Sequence, residues 1–77
     1  MDYPSGRTAR LGDRVRLWAG AEGIVVCSLD TAEYSQAYPH AAWGFLGRGI
    51  LVLSPQVGLV HLSEPDSDLE FLSAPPP

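Results

Sequence analysis

The sequence contains no lysine and no asparagine, only one cysteine, and no long apolar run. Its basic residues are five arginines, which face nine acidic residues and leave a formal net charge of −4 at pH 7. Lysine and arginine supply most of the affinity in general nucleic-acid binding, so this composition disfavours DNA or RNA as a partner. It favours instead a protein partner with a basic surface.

The single cysteine and the lack of long apolar runs indicate the cellular compartment of the protein. The lone Cys27 excludes an intramolecular disulfide, and the first ten residues lack the apolar stretch of a signal peptide. The longest apolar runs, GIVVC and GILVL, fall far short of the roughly 20 residues that cross a bilayer. We therefore expect a cytoplasmic protein without a membrane segment. Abundant alanine, glycine, proline and arginine, whose codons are G/C-rich, indicate a high-GC bacterial genome or a mobile element within one.

Alternation of polar and apolar residues predicts a mainly β fold. In DRVRLW, Val15 and Leu17 point to one face while Arg14 and Arg16 point to the other. Five short strands with exposed edges would promote aggregation, and closure into a barrel removes those edges. The predicted strands cover residues 13–18, 23–29, 49–54, 57–63 and 68–72.

The chain is long enough for one small domain, either monomeric or homodimeric. We predict a flexible N-terminal arm at 1–11, a barrel domain at 12–72, and a disordered proline-rich tail at 73–77. Residues 30–49 form the long connection between strands two and three. Short helical turns are expected there, one capped by Asp30 or Thr31 with Glu33 in capping-box spacing, and one over HAAWGFL after Pro39.

The segment GDRVRLWAGAEGIVV, residues 12–26, resembles the opening hairpin of SH3-like small barrels, in particular of KOW-type modules. The resemblance implies a five-stranded SH3-like barrel that acts as a binding module. KOW-type modules commonly bind RNA or proteins of transcription and translation. The alternative function is therefore an accessory nucleic-acid-binding module that uses the arginines, namely Arg7, Arg10, Arg14, Arg16 and Arg48.

A second resemblance rests on the kind of protein, and no shared sequence motif supports it. A small, acidic, single-domain bacterial protein is similar to many inhibitors encoded by phages and plasmids, including anti-CRISPR proteins. Such inhibitors occlude a partner's surface stoichiometrically, often by presenting carboxylates. This resemblance implies a mobile-element inhibitor that covers a basic partner surface.

Two groups of residues are candidates for partner binding. The aromatic loop comprises Tyr34, Tyr38, Trp43 and Phe45, and the acidic ridge comprises Glu64, Asp66, Asp68 and Glu70. The aromatic loop, with Arg48 beside it, offers the side-chain types that dominate interfaces, although the same rings could cover one end of the barrel. Within it, Trp43 is expected in the core, and Tyr34 and Tyr38 at the contact surface.

The acidic ridge recurs at every second position, which places its members on one face of an extended strand; charge that prevents edge pairing is the other explanation.

No residue set predicts catalysis, a cofactor or a metal. Cys27 lies within a β-branched strand, where a thiol acts as a small hydrophobe. His61 is expected to line the barrel or lie on an edge strand, His40 to be solvated, and Trp18 to pack on the barrel. Two histidines and one cysteine without short spacing do not make a zinc site. We therefore predict a non-enzymatic protein.

Overall fold

The computed structural model describes residues 1–75, and the mainly β prediction is confirmed. Six antiparallel strands form one sheet, together with one short helix that continues into a 3-10 helix at Gly44–Leu46. The elements are β1 (Arg14–Trp18), β2 (Ala21–Ser28), β3 (Glu33–Tyr34), α1 (His40–Trp43), β4 (Ile50–Ser54), β5 (Gly58–Leu62) and β6 (Glu70–Ser73). Ser73, which the sequence assigns to the disordered tail at 73–77, instead pairs with Arg14 in β6. Pro76 and Pro77 of that predicted tail lie outside the described residues.

The strand order is β5-β4-β2-β1-β6, with β3 paired to β2 beside this path. All five predicted strands are present, and β3 is an additional short strand inside the predicted connection. The closed five-stranded barrel is not confirmed. Within residues 1–75, strand pairing leaves β5 and β6 as the two ends of an open sheet.

The main core lies on the inner face of the sheet. Val15 and Leu17 are buried while Arg14 and Arg16 point outward, as the alternation in β1 predicts. Val25 on β2 lies opposite Val52 on β4, and both are buried in the same cluster. The other buried members are Tyr3, Ala9, Ala21, Ile50 and Leu69.

A second, smaller core lies on the outer face. Leu51 neighbours the inward-pointing Val52 along β4, so its side chain points to the opposite side of the sheet. It lies opposite Cys27, and these two residues pack with Leu29 under the segment 30–49. The sheet therefore buries apolar residues on both faces over part of its area.

Residues 1–11 pack against the sheet, which differs from the predicted flexible arm. Ala9 is fully buried and its N–H donates to the Met1 carbonyl at 2.7 Å. Tyr3 is 3% exposed, and its ring centroid lies 5.4 Å from that of Phe71. The segment folds onto the domain because an aromatic ring buries a large apolar area in a core that is otherwise short of it.

The connection 30–49 only partly follows its prediction. HAAWGFL forms α1 and the 3-10 helix, with Pro39 at the N-cap position, so this helical piece is confirmed. The helical turn at Asp30 is wrong, because the chain enters β3 instead. The Asp30 carboxylate accepts a hydrogen bond from the Gly49 N–H at 3.2 Å, and this contact joins the two ends of the connection.

Candidate functional site

The outer face carries a row of exposed apolar residues. The strand register sets Ile24 on β2 opposite Leu53 on β4, and Leu53 opposite Leu59 on β5. Cross-strand partners point to the same face, so the three side chains form one continuous line. Their exposed fractions are 45%, 43% and 38%. We call Ile24, Leu53 and Leu59 the open row.

An open groove of about 720 Å³ adjoins the open row. Its apolar floor includes Ile24, Val26 and Leu53, and its rim carries Arg14 and Glu22. These two rim side chains form an ion pair with Nη2 of Arg14 3.2 Å from Oε1 of Glu22. The site is thus an apolar strip with a polar rim, the arrangement that is typical of interface surfaces.

The aromatic loop covers the other half of the same face. Tyr34, Tyr38 and Trp43 are half-buried and pack on the outer core around Cys27. The ring centroids of Tyr38 and Trp43 lie 5.6 Å apart. The half-burial of Trp43 fits its expected core role, but Tyr34 and Tyr38 pack on the same cluster and are not freely exposed contacts.

Phe45 is the outermost member of the aromatic loop. Its side chain is 79% exposed and its ring stacks on Trp43 at a centroid distance of 6.4 Å. Val26 packs against the aromatic cluster and also lines the groove. Through Val26, the aromatic loop and the groove beside the open row form one apolar surface on the outer face of the sheet.

The acidic ridge does not lie on one extended strand, and that premise was wrong. β6 begins only at Glu70, and a turn precedes it in which Oδ1 of Asp66 accepts the Asp68 N–H at 2.8 Å. Glu64 lies 2.5 Å from the Arg48 guanidinium, and Glu70 lies 3.1 Å from that of Arg16. Two of the four carboxylates are therefore engaged in ion pairs, which leaves Asp66 and Asp68 as the acids of the turn.

Each of the five arginines already contacts a carboxylate or a ring. Arg10 binds Glu33 with two hydrogen bonds, of 2.8 and 3.1 Å, and this pairing is the largest of the contacts that lower the pKa of Glu33 to about 2. The Arg7 guanidinium lies 4.2 Å above the Phe71 ring. The other contacts join Arg14 to Glu22, Arg16 to Glu22 and Glu70, and Arg48 to Glu64. Arg14 and Arg16 share Glu22, and each of the other three arginines has a separate partner.

The potentially reactive side chains lie apart from one another. Cys27 is fully buried, and burial raises the pKa of its thiol, which keeps it protonated. His61 lies on the end strand β5, with Nε2 2.9 Å from the Arg48 carbonyl oxygen. Among residues 1–75, no three His, Cys, Asp or Glu side chains converge to hold a metal, and no helix has the length and hydropathy to span a membrane.

Trp18 also differs from its prediction. It is 45% exposed and lines a groove with Arg16 and Asp68, instead of packing on the core. The register between β1 and β2 shifts between Arg16 and Trp18, so Trp18 lies at an irregularity at the end of β1.

The open row was not predicted from the sequence, although the sequence contains a pattern that indicates it. GIVVC and GILVL are apolar at both odd and even positions, whereas a strand with one solvated face alternates. Such runs indicate apolar groups on both faces, and here the connection covers only half of the outer one. Comparison of the chain with protein families, curated proteins and solved structures finds no match.

Proposed function

We propose that the chain is a non-enzymatic protein-binding module that docks its partner on the outer face. The observation that carries this proposal is the open row, in which Ile24, Leu53 and Leu59 stand exposed in register on three adjacent strands. Contiguous exposed apolar surface with a polar rim marks interaction sites, whereas isolated exposed apolar residues are common and need no function.

The paired strands that carry the open row favour docking of a partner. β2 and β4 are central strands, so Ile24 and Leu53 are held on both sides by paired backbone. Little side-chain or loop order has to be created on binding, which lowers the entropic cost of association. Phe45 adds an exposed aromatic ring beside this rigid strip, and aromatic side chains are enriched among residues that dominate binding energy.

The partner we propose is a protein with a basic rim around an apolar patch. The chain has a net charge of −4, and Asp66 and Asp68 lie in an exposed turn. Complementary charge of this kind accelerates association more than it tightens binding. The arginines, already matched to carboxylates or to a ring, give little support to the accessory nucleic-acid function.

For the finer fold we assign the sheet to the SH3-like small barrels, with the KOW-like hairpin GDRVRLWAGAEGIVV as β1 and β2. The role we propose for such a module is inhibition of the mobile-element, anti-CRISPR-like type. Occlusion of a partner surface requires a stable face and no catalytic group, and the outer face supplies that.

The experiment compares partner capture by the wild type and by Ile24→Asp/Leu53→Asp. The control Ser5→Asp/Ser67→Asp adds the same charge at exposed positions outside the outer face. We expect a nuclease-resistant protein complex with the wild type and the control, and a Kd at least about tenfold weaker for the face variant at an unchanged circular dichroism spectrum. Equal affinity of all three chains would contradict the proposal, as would loss of the complex on nuclease treatment.

A further inference from the structure

We propose that the chain forms a homodimer in which β5 pairs antiparallel with β5 of a second copy. This inference goes beyond the proposed function, because it concerns the free edge of β5 at the end of the sheet; Leu59 belongs to both surfaces. It rests on a difference between the two end strands. Unpaired edge strands present backbone donors and acceptors to other strands, and proteins usually block them with charge, irregular pairing or a covering segment.

The β6 end is blocked in all three ways. Glu70 places a charge on the strand, and the β1–β6 register shifts between Arg14 and Val15. Residues 1–11 cover the strand, where Tyr3 and the Arg7 guanidinium both contact the Phe71 ring. Pairing of a second strand with β6 is therefore disfavoured.

The β5 end has none of these protections. β5 pairs with β4 through five consecutive residue pairs without a register shift, from Ile50↔Leu62 to Ser54↔Gly58. It contains no proline and no charged residue, and Leu59 and His61 are exposed. Within residues 1–75, its other side faces no strand. The result is an edge of regular register without Asp, Glu, Lys or Arg, whose outward N–H and C=O groups match another extended backbone.

Local neutrality at the β4–β5 hairpin lets a second copy occupy this edge. Two chains of net charge −4 repel one another, but residues 49–63 carry no Asp, Glu, Lys or Arg. The charged residues that flank this stretch, Arg48 and Glu64, neutralise each other at 2.5 Å. The β4–β5 hairpin is thus a place where two copies meet without opposing like charges.

The geometry of β5 suits a symmetric and weak dimer. A two-fold axis at Val60, the central residue of β5, pairs all five residues and sets Leu59 opposite the partner's His61. A weak interface buries about 600 Å² on each partner, and the chain exposes 4457 Å². Because the five-residue edge is short, the exposed side chains of Val57 and Leu59 must contribute, and we expect a Kd in the micromolar range.

The test is sedimentation equilibrium of the full chain between about 5 and 500 µM. For the wild type we expect the mass to rise from 8.3 kDa toward twice that value. Leu59→Lys/His61→Lys places lysine on the edge at two exposed positions and should weaken self-association at least tenfold. This variant lowers the net negative charge of the chain, so its monomeric state could not be attributed to greater net repulsion between the two copies.

The matched control is Ile24→Lys/Phe45→Lys, which makes the same charge change at exposed positions away from β5. It should dimerise like the wild type and yet lose the captured partner, which separates this inference from the proposed function. A wild-type mass of 8.3 kDa at every concentration would overturn the inference. Equal dimerisation of the edge variant and the control would overturn it as well.

Discussion

The hydroxyl of Tyr3 donates a 2.7 Å hydrogen bond to Oδ2 of Asp13, and the two residues are only 3% and 1% exposed. The same carboxylate oxygen accepts the Arg10 N–H at 3.0 Å. Burial, together with the adjacent carboxylate, raises the pKa of Tyr3 far above its usual value, so the hydroxyl remains a donor. This contact connects the N-terminal segment to the start of β1 and makes it part of the core.

Tyr3→Phe should lower the free energy of unfolding by about 1.5 to 3 kcal/mol, because a buried carboxylate loses one of its two donors while the ring is retained. Urea unfolding measures the change. Tyr38→Phe, at a half-buried tyrosine of the aromatic loop, is the control and should change stability by less than about 0.5 kcal/mol. Equal losses in the two variants would show that the Tyr3–Asp13 bond contributes nothing specific.

The Glu33 carboxylate predicts an acid-dependent stability difference. Its pKa in the folded chain is lowered from 4.5 to about 2, first by the hydrogen bonds from Arg10 and then by that from Thr31. A lowered pKa stabilises the fold above the unfolded-state value, and this stabilisation is lost as the pH falls from 4.5 toward 2.

Glu33→Gln should therefore be less stable than the wild type by about 1 kcal/mol at neutral pH, a figure already reduced for solvent screening. The difference should disappear near pH 2. Thermal unfolding of both chains from pH 2 to pH 7 measures it. The account of this ion pair fails if the difference is independent of pH.

Two glycines in the connection allow the stability cost of backbone strain to be compared with that of a close contact. Gly47 and Gly49 both have positive φ, of 82° and 90°. A Cβ at Gly47 would meet open space, whereas one at Gly49 would overlap the carbonyl oxygen of Leu62. We expect a loss of about 1 to 2 kcal/mol for Gly47→Ala and about 3 kcal/mol or more for Gly49→Ala, measured by urea unfolding. A similar loss for both would mean that the connection is not seated on the end of β5.

The aromatic loop should divide into supporting and exposed rings. Trp43 is half-buried against the outer core, so Trp43→Ala should cost about 2 kcal/mol of unfolding free energy. Phe45 is 79% exposed, so Phe45→Ala should stay within about 0.5 kcal/mol of the wild type while weakening partner binding. The reverse order of stabilities would place Phe45 in the core and remove it from the proposed interface.

The sequence predicts the strands well because alternate burial leaves a direct pattern. Val15 and Leu17 are buried between outward-pointing arginines, and the helical piece after Pro39 forms where its small residues and glycines indicate. The burial of Tyr3 could not be read from a pattern, because it depends on partners that are distant in sequence, Asp13 and Phe71.

The candidate site was harder to predict, for two physical reasons. Alternating acids suggest a strand, but the side chain of Asp66 captures the Asp68 N–H and stabilises a turn. Exposure of the open row depends on how far the connection reaches across the outer face, and only the folded chain shows that Leu51 is covered while Leu53 is not.

Two-dimensional ¹⁵N–¹H spectra of the labelled chain, recorded as the captured protein is added, show whether the outer face binds that protein. We expect the largest chemical-shift changes on Ile24, Leu53, Leu59 and Phe45. Changes confined to the arginines or to the Asp66 turn, with the open row unaffected, would contradict it.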